Sequence, residues 1–282
     1  MSKTLIYIIG SGRSGTTLLD IMLGNLKEAI SLGEINRFYK RSGVPPKRDE
    51  TSKVFLFWDR YRKILNIQDF DMLFKQSQKN EYHSAFIKSL CRKNDIKYVK
   101  GLKKEYIALS KITKENVLIE SSKYPSRGLN ISNYLDKEKF NIKYVYLKKD
   151  PIKVVKSFQK KNLEQPSKGF IMANLYYLIV NVLCQISVVV LKRRGHKVGI
   201  VKYEDLVNKP QATIRRLGAC LEEDCGLLIN KLSKSEPLST GYLFDGNRIR
   251  LKETLTLQTS KEDKKKSLKD YFTRTFNCIV YR

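Results

Sequence analysis

At 282 residues the chain is long enough for one substantial core, so a single α/β domain spanning 1–282 with an added helical part is the economical reading. Lysine and arginine number 55 against 28 aspartates and glutamates, a formal net charge of +27 that exceeds what solubility requires. That surplus points to an anionic acceptor, a membrane surface or nucleic acid, with a general lysine-rich bias as the plain alternative. The five cysteines, Cys91, Cys184, Cys220, Cys225 and Cys278, form no CxxC pair and are odd in number, which excludes a zinc framework or a disulfide scaffold and fits a reducing compartment.

The first predicted strand, Leu5–Ile9, runs into Gly10-Ser11-Gly12-Arg13-Ser14-Gly15-Thr16-Thr17 and then into a helix with Leu18-Leu19. A glycine-rich turn between strand and helix presents backbone N–H groups at the positive end of the helix dipole and so cradles an anion. Gly10 and Gly15 have P-loop spacing, but Thr16 stands where the triphosphatase pattern needs lysine, and the positive charge has moved to Arg13. A triphosphate with magnesium needs that lysine, so a smaller anionic group without a divalent ion is expected. Strand residues begin at Thr4, which leaves no room for a leader ahead of the fold and implies a cytoplasmic protein, with peripheral contact at the inner membrane as a further expectation.

After the first helix comes Ser31-Leu32-Gly33-Glu34. Residues 41–114, which include Val44-Pro45-Pro46, carry no repeat and no motif, and helical periodicity around Phe70–Phe74 and Tyr82–Leu90 predicts a helical insertion suited to acceptor specificity. Further strands are predicted at Val117–Ile119, Ile142–Leu147 and Val198–Lys202. Apolar strands alternating with helices imply a parallel sheet covered on both faces, with ligands beyond the strands' carboxyl ends.

Each of these ends carries a pattern. Glu120-Ser121-Ser122-Lys123 follows the second strand. Lys148-Lys149-Asp150-Pro151 follows the third, where Asp at the N-cap and Pro at the first helical position start a helix bearing Ser157. Phe170 to Leu191 is apolar enough to raise the question of a membrane span, but Asn174, Asn181 and Gln185 share one helical face, so a mostly buried helix with a polar stripe is expected. Tyr203-Glu204-Asp205-Leu206 follows the fourth strand, its acids expected to cap a helix from about Gln211 that turns Ile214 and Leu217 inward. Gly246-Asn247-Arg248-Ile249-Arg250 comes next. Ser260 with Asp263 reads as a capping box for a last basic helix through Tyr271, with Lys264-Lys265-Lys266 as a solvated face.

Taken together and in this order, these patterns resemble the sulfotransferases that use 3′-phosphoadenosine-5′-phosphosulfate (PAPS) and release 3′,5′-ADP, in particular the carbohydrate and bacterial types. The resemblance implies an α/β, P-loop-like three-layer fold with a central parallel sheet and a helical insertion. It implies that Ser11, Gly12, Arg13, Ser14, Gly15, Thr16 and Thr17 wrap the 5′-phosphosulfate, and that Lys149 and Ser157, in the family's spacing, hold the 3′-phosphate with Asn247 and Arg250. Lysine at 149 replaces the family's arginine and loses its bidentate geometry, Glu120 replaces an aspartate, and Arg248 stands where proline is usual.

The mechanism implied is in-line displacement, in which positioning and cations dominate and no metal is required. Arg13 would face the leaving 5′-phosphate and Lys123 the sulfuryl group, with Ser121 and Ser122 as further donors. A general base should take the acceptor hydroxyl's proton. Neither His83 nor His196 follows a family motif, whereas Leu32-Gly33-Glu34 resembles the element whose glutamate is the base, so Glu34 is the choice. A glutamate that caps the next helix or pairs with Arg37 is the bland alternative. The acceptor is expected on a carbohydrate or glycolipid. Two other readings stay open: a degenerate P-loop kinase, and a basic nucleic-acid-binding module, against which the dispersed charge argues.

Overall fold

The computed structural model describes residues 2–160, 167–257 and 267–281. Five parallel strands form one sheet in the order β2-β3-β1-β4-β5, with β1 at Lys3–Gly10, β2 at Ala29–Gly33, β3 at Val117–Lys123, β4 at Phe140–Lys148 and β5 at Val198–Lys202. The four predicted strands are all present. β2 was not expected: Ala-Ile-Ser-Leu-Gly is short and only half apolar, and it becomes a strand because β3 pairs with it and the backbone of Tyr242 and Phe244 runs along its free edge.

β1 shows why the sheet is covered twice. Leu5, Tyr7 and Ile9 enter one core and Ile6 and Ile8 the other, the period-2 alternation of a strand buried on both faces. On the first face lie α2 (Lys53–Leu65), α3 (Phe70–Glu81), α4 (Phe86–Leu90), α5 (Ile96–Ile112) and α6 (Pro125–Tyr134), with Trp58, Tyr61, Leu102 and Tyr106 fully buried. Helices thus occupy most of 41–114, started by side-chain caps at Ser52 and Asp69. The second face holds α1 (Thr16–Leu23), α10 (Pro210–Leu221) and α11 (Gly226–Ser233).

α7 (Pro151–Gln159) starts as expected, with the Asp150 side chain accepting the Ile152 N–H at 2.7 Å. α8 (Phe170–Arg193) is less buried than expected. Asn174 and Asn181 face inward and Gln185 bonds the carbonyl of Val280, but the opposite face is exposed and apolar. Glu204 and Asp205 do not cap the following helix. They lie in the first turn of a short helix, α9 (Tyr203–Asn208), and Glu204 accepts the Asp150 N–H and the Tyr281 hydroxyl; α10 starts at Pro210, with Ile214 and Leu217 buried as expected.

A two-stranded hairpin, β6 (Leu238–Ser239) with β7 (Thr254–Leu255), carries residues 246–250 across the carboxyl ends of the sheet. The expected capping box at Ser260 and Asp263 and the run Lys264–Lys266 lie outside the described residues. The helix that follows, α12 (Leu268–Phe276), has its own box, Ser267 with Asp270, and α13 (Cys278–Tyr281) ends the described chain.

Candidate active site

The turn between β1 and α1 is built by two left-handed residues. Arg13 takes φ 66° and Gly15 φ 92°, and a Cβ at Gly15 would lie 2.4 Å from the ring of Tyr203, so only glycine fits there. This turns the N–H groups of Gly15, Thr16 and Thr17 outward, and among the described residues none of the three is hydrogen-bonded. Ser11 and Ser14 are buried beneath, the Ser14 hydroxyl donating to the Ser11 carbonyl at 2.7 Å, so they brace the loop rather than line it. The Gly12 N–H donates to the Tyr176 hydroxyl at 3.4 Å.

In front of the loop is a cleft of about 830 Å³ at the carboxyl ends of the strands. Arg13, Gly15, Thr16, Thr17, Glu34, Lys123, Lys149 and Ser157 all line it. Lys149 sits over the Tyr203 ring, 3.9 Å from its centroid, and burial lowers its pKa while Glu204 opposes the shift. Leu18, Tyr203, Ile249, Leu255 and Leu257 belong to the lining and pack on the core of the second sheet face, giving the cleft an apolar stretch beside its cations. Its donor set fits a nucleoside bisphosphate: several cations, outward N–H groups, and one acid already paired with cations.

That acid is Glu34, which is 2 % exposed. Its Oε1 lies 2.5 Å from Lys123 Nζ and its Oε2 2.7 Å from Arg37 Nε. Glu34 follows Gly33 at the end of β2, where the Gly33 N–H donates to Asp20 of α1 at 3.0 Å and the Glu34 N–H to the Asp245 carbonyl at 3.2 Å. Lys123 has φ 63°, and the pairing of β1 with β3 slips between Tyr7 and Ile9, a bulge that re-aims the strand end. The contact with Arg37 is real, but so is the place in the cleft.

The expectations for Ser121, Ser122 and Arg250 are corrected here. Ser121 and Ser122 do not face the cleft: both are fully buried, Ser121 donating to Asp20 at 2.6 Å and Ser122 to Glu120 at 2.5 Å. Glu120 points away as well, into a buried cluster in which Arg127 meets Glu120, Glu81 and Glu105 at 2.7, 2.5 and 2.9 Å. Arg250 is buried too, bonded to the Gly246 carbonyl at 2.8 Å and facing Asp245 at 3.5 Å, because the turn at 248–251 rolls it inward. Asn247 lines the cleft, but its side chain caps that turn.

Several cleft residues escaped the sequence reading. Arg248 and Lys252 line the cleft where Arg250 does not, and the signal was the alternation of basic residues in 248–252. Tyr203, given no site role by the sequence, forms the floor under Lys149 and Gly15. His83 is not part of the lining: its ring centroid lies 4.8 Å from that of Tyr124 and 5.9 Å from that of Tyr176, and burial, with the charge of Lys123, pushes its pKa down to about 4. No local pattern marks it, since it arrives from the helical segment.

A model of the sulfotransferase family matches residues 6–225. Among solved structures, the chain is similar to the sulfotransferase domain from the curacin biosynthetic pathway, with 19 % identity over 99 % of this chain and 98 % of that one and a TM-score of 0.52. It is similar also to the sulfotransferase domain from the Synechococcus PCC 7002 olefin synthase, with 18 % identity over 100 % and 96 % and a TM-score of 0.52. These likenesses show the fold. No curated protein matches the chain.

Proposed function

The chain belongs to the sulfotransferase family, and we propose that it moves the sulfuryl group of PAPS to an acceptor hydroxyl on a carbohydrate or glycolipid, with Glu34 as general base. One observation carries the reading: Arg13, Glu34, Lys123, Lys149 and Ser157, from distant parts of the chain, line a single cleft in front of a loop with outward N–H groups. PAPS supplies the sulfuryl group on an activated anhydride. The N–H groups of Gly15, Thr16 and Thr17 hold phosphate oxygens, and Arg13 neutralises the leaving 5′-phosphate. Lys149 and Ser157 would take the 3′-phosphate with help from Arg248 and Lys252, while Leu18, Ile249 and Leu257 would pack on the adenine.

Glu34 and Lys123 act as one unit. Lys123 faces the sulfuryl oxygens and Glu34 receives the acceptor's proton, so as Glu34 is neutralised Lys123 is released to the sulfuryl oxygens that gain negative charge. Arg37 holds Glu34 in place from its other oxygen. The carbohydrate or glycolipid acceptor rests on the likeness of residues 120–123 to the carbohydrate and bacterial enzymes and on the +27 charge, which favours an acceptor that is itself anionic or displayed among anions.

Calorimetry with 3′,5′-ADP tests the donor: binding without added metal, tighter than ATP with magnesium, is expected, and tighter ATP binding would move the protein to the kinase reading. Sulfur-labelled PAPS with extracts separated into glycan, lipid and peptide fractions tests the acceptor. Label confined to peptides would remove the sugar assignment.

A further inference from the structure

The outward face of α8 is unlike the surface of a soluble domain. Ile171, Leu175, Ile179, Ile186 and Val189 recur at helical spacing and are all exposed, Ile171 at 69 % and Ile179 at 54 %. At 1.5 Å per residue the apolar stripe runs for about 27 Å before Arg193 ends it. α12 widens its amino-terminal end: Phe272 packs on Phe170 with centroids 5.7 Å apart, and Leu268 is 89 % exposed.

Among the described residues, charge frames this face with one sign. Lys269 Nζ lies 5.8 Å from the Phe170 ring centroid, Lys168 Nζ 5.2 Å from that of Tyr176, and Lys192 and Arg193 close the far end. α8 contains no acidic residue, and the acid of α12, Asp270, is buried and paired with Lys156 at 3.0 Å. A membrane span does not fit, because the opposite face buries Asn174 and Asn181 inside the fold, where Asn181 accepts the Tyr146 hydroxyl at 2.7 Å. A second copy does not fit either. The stripe offers about 300 Å² against the roughly 800 Å² per partner of a stable interface, and two chains of +27 would bring cations against cations.

We infer that the exposed face of α8, with the tip of α12, docks the protein on an anionic lipid surface, the apolar stripe entering the headgroup boundary and the flanking lysines and arginines meeting lipid phosphates. The Gly12 N–H reaches Tyr176 on another side of the same helix, so the helix that carries the docked face also contacts the P-loop. The docking does not depend on which acceptor is modified.

The test is sedimentation of the full chain with phosphatidylcholine vesicles, with and without phosphatidylserine. Binding is expected only with phosphatidylserine and should weaken as salt rises. Ile171→Gln with Ile179→Gln, at exposed sites that tolerate glutamine in a helix, should weaken it about tenfold or more with an unchanged circular dichroism spectrum. Lys269→Glu should weaken it by a smaller factor. Failure to bind the anionic vesicles at low salt, or equal binding by the double variant, would overturn the inference. So would a stable dimer in ultracentrifugation that the double variant dissolves.

Discussion

The two walls of the cleft are made in different ways. The wall at the ends of β1 and β4 is local and backbone-built: Gly10 to Thr17 form one turn, and Lys149 and Ser157 sit at the start and end of one short helix. The wall at the ends of β2 and β3 is assembled from afar. Glu34 meets Lys123 across the sheet, Gly33 hangs on Asp20, and Ser122 links the Asn36 N–H to Glu120 and so to the buried cluster around Arg127. An anion can be held by N–H groups that any sequence supplies once the turn is right. A carboxylate poised beside two cations has to be fixed by side chains, and their supports reach back into the helical segment.

The largest expected effect breaks the second wall from behind. Burial pushes Glu81 up to about 7 and Glu105 upward, and Arg127 offsets both. Arg127→Met leaves three carboxyl groups without their cation and should cost about 3–5 kcal/mol in a denaturant titration at pH 8. The sign with pH follows from the raised carboxyls: the folded variant binds more protons than the unfolded chain, so it should regain stability as pH falls. A loss under about 1 kcal/mol at pH 8 would mean that the helical wall stands without its ion cluster.

The next pair of variants sharpens the contrast between the walls themselves. Glu34→Gln should lower kcat about a hundredfold or more while 3′,5′-ADP affinity stays within about twofold. Ser157→Ala should do the reverse, weakening the nucleotide about tenfold with a smaller effect on kcat. Calorimetry and initial rates at saturating donor separate the two outcomes. A Glu34→Gln enzyme at the wild-type rate would remove the base from this wall.

What could be read in advance divides along the same line. Four of the five strands, the start of α7 at Asp150 and the Arg13 loop are fixed by neighbours in sequence, so their residues announce them. Glu34 and Lys123 could be named from the motifs that contain them, but not their contact at 2.5 Å, which depends on β2 pairing with β3. Ser121 and Ser122 were misjudged because the motif was taken as a unit, whereas β3 turns Ser121 toward Asp20 of α1 and Ser122 back toward Glu120, and Arg250 because a tight turn reassigns which of two alternating cations faces out. His83 and the Arg127 cluster are products of tertiary packing alone.

Asp20 joins the two walls and gives the smallest and most specific prediction. It lies on the helix that begins at the phosphate loop, yet its Oδ2 accepts the Gly33 N–H beside Glu34 and the Ser121 hydroxyl two residues before Lys123. Burial outweighs these hydrogen bonds and pushes its carboxyl up to about 7. Its unfolded value is about 3.9. The folded state therefore binds the extra proton between those two values, and stability is lost as pH rises across that window. Asp20→Asn keeps an acceptor for both donors and does not titrate. Relative to it, the wild-type melting temperature should fall from about pH 4 to about pH 7 and stay level above, by roughly 2–4 °C for each kcal/mol. Turnover should change little, since the oxygen that positions Gly33 remains. A melting difference that does not vary with pH would mean that the Gly33 and Ser121 bonds keep the carboxylate charged throughout, and that the joint is electrostatic rather than a neutral clamp.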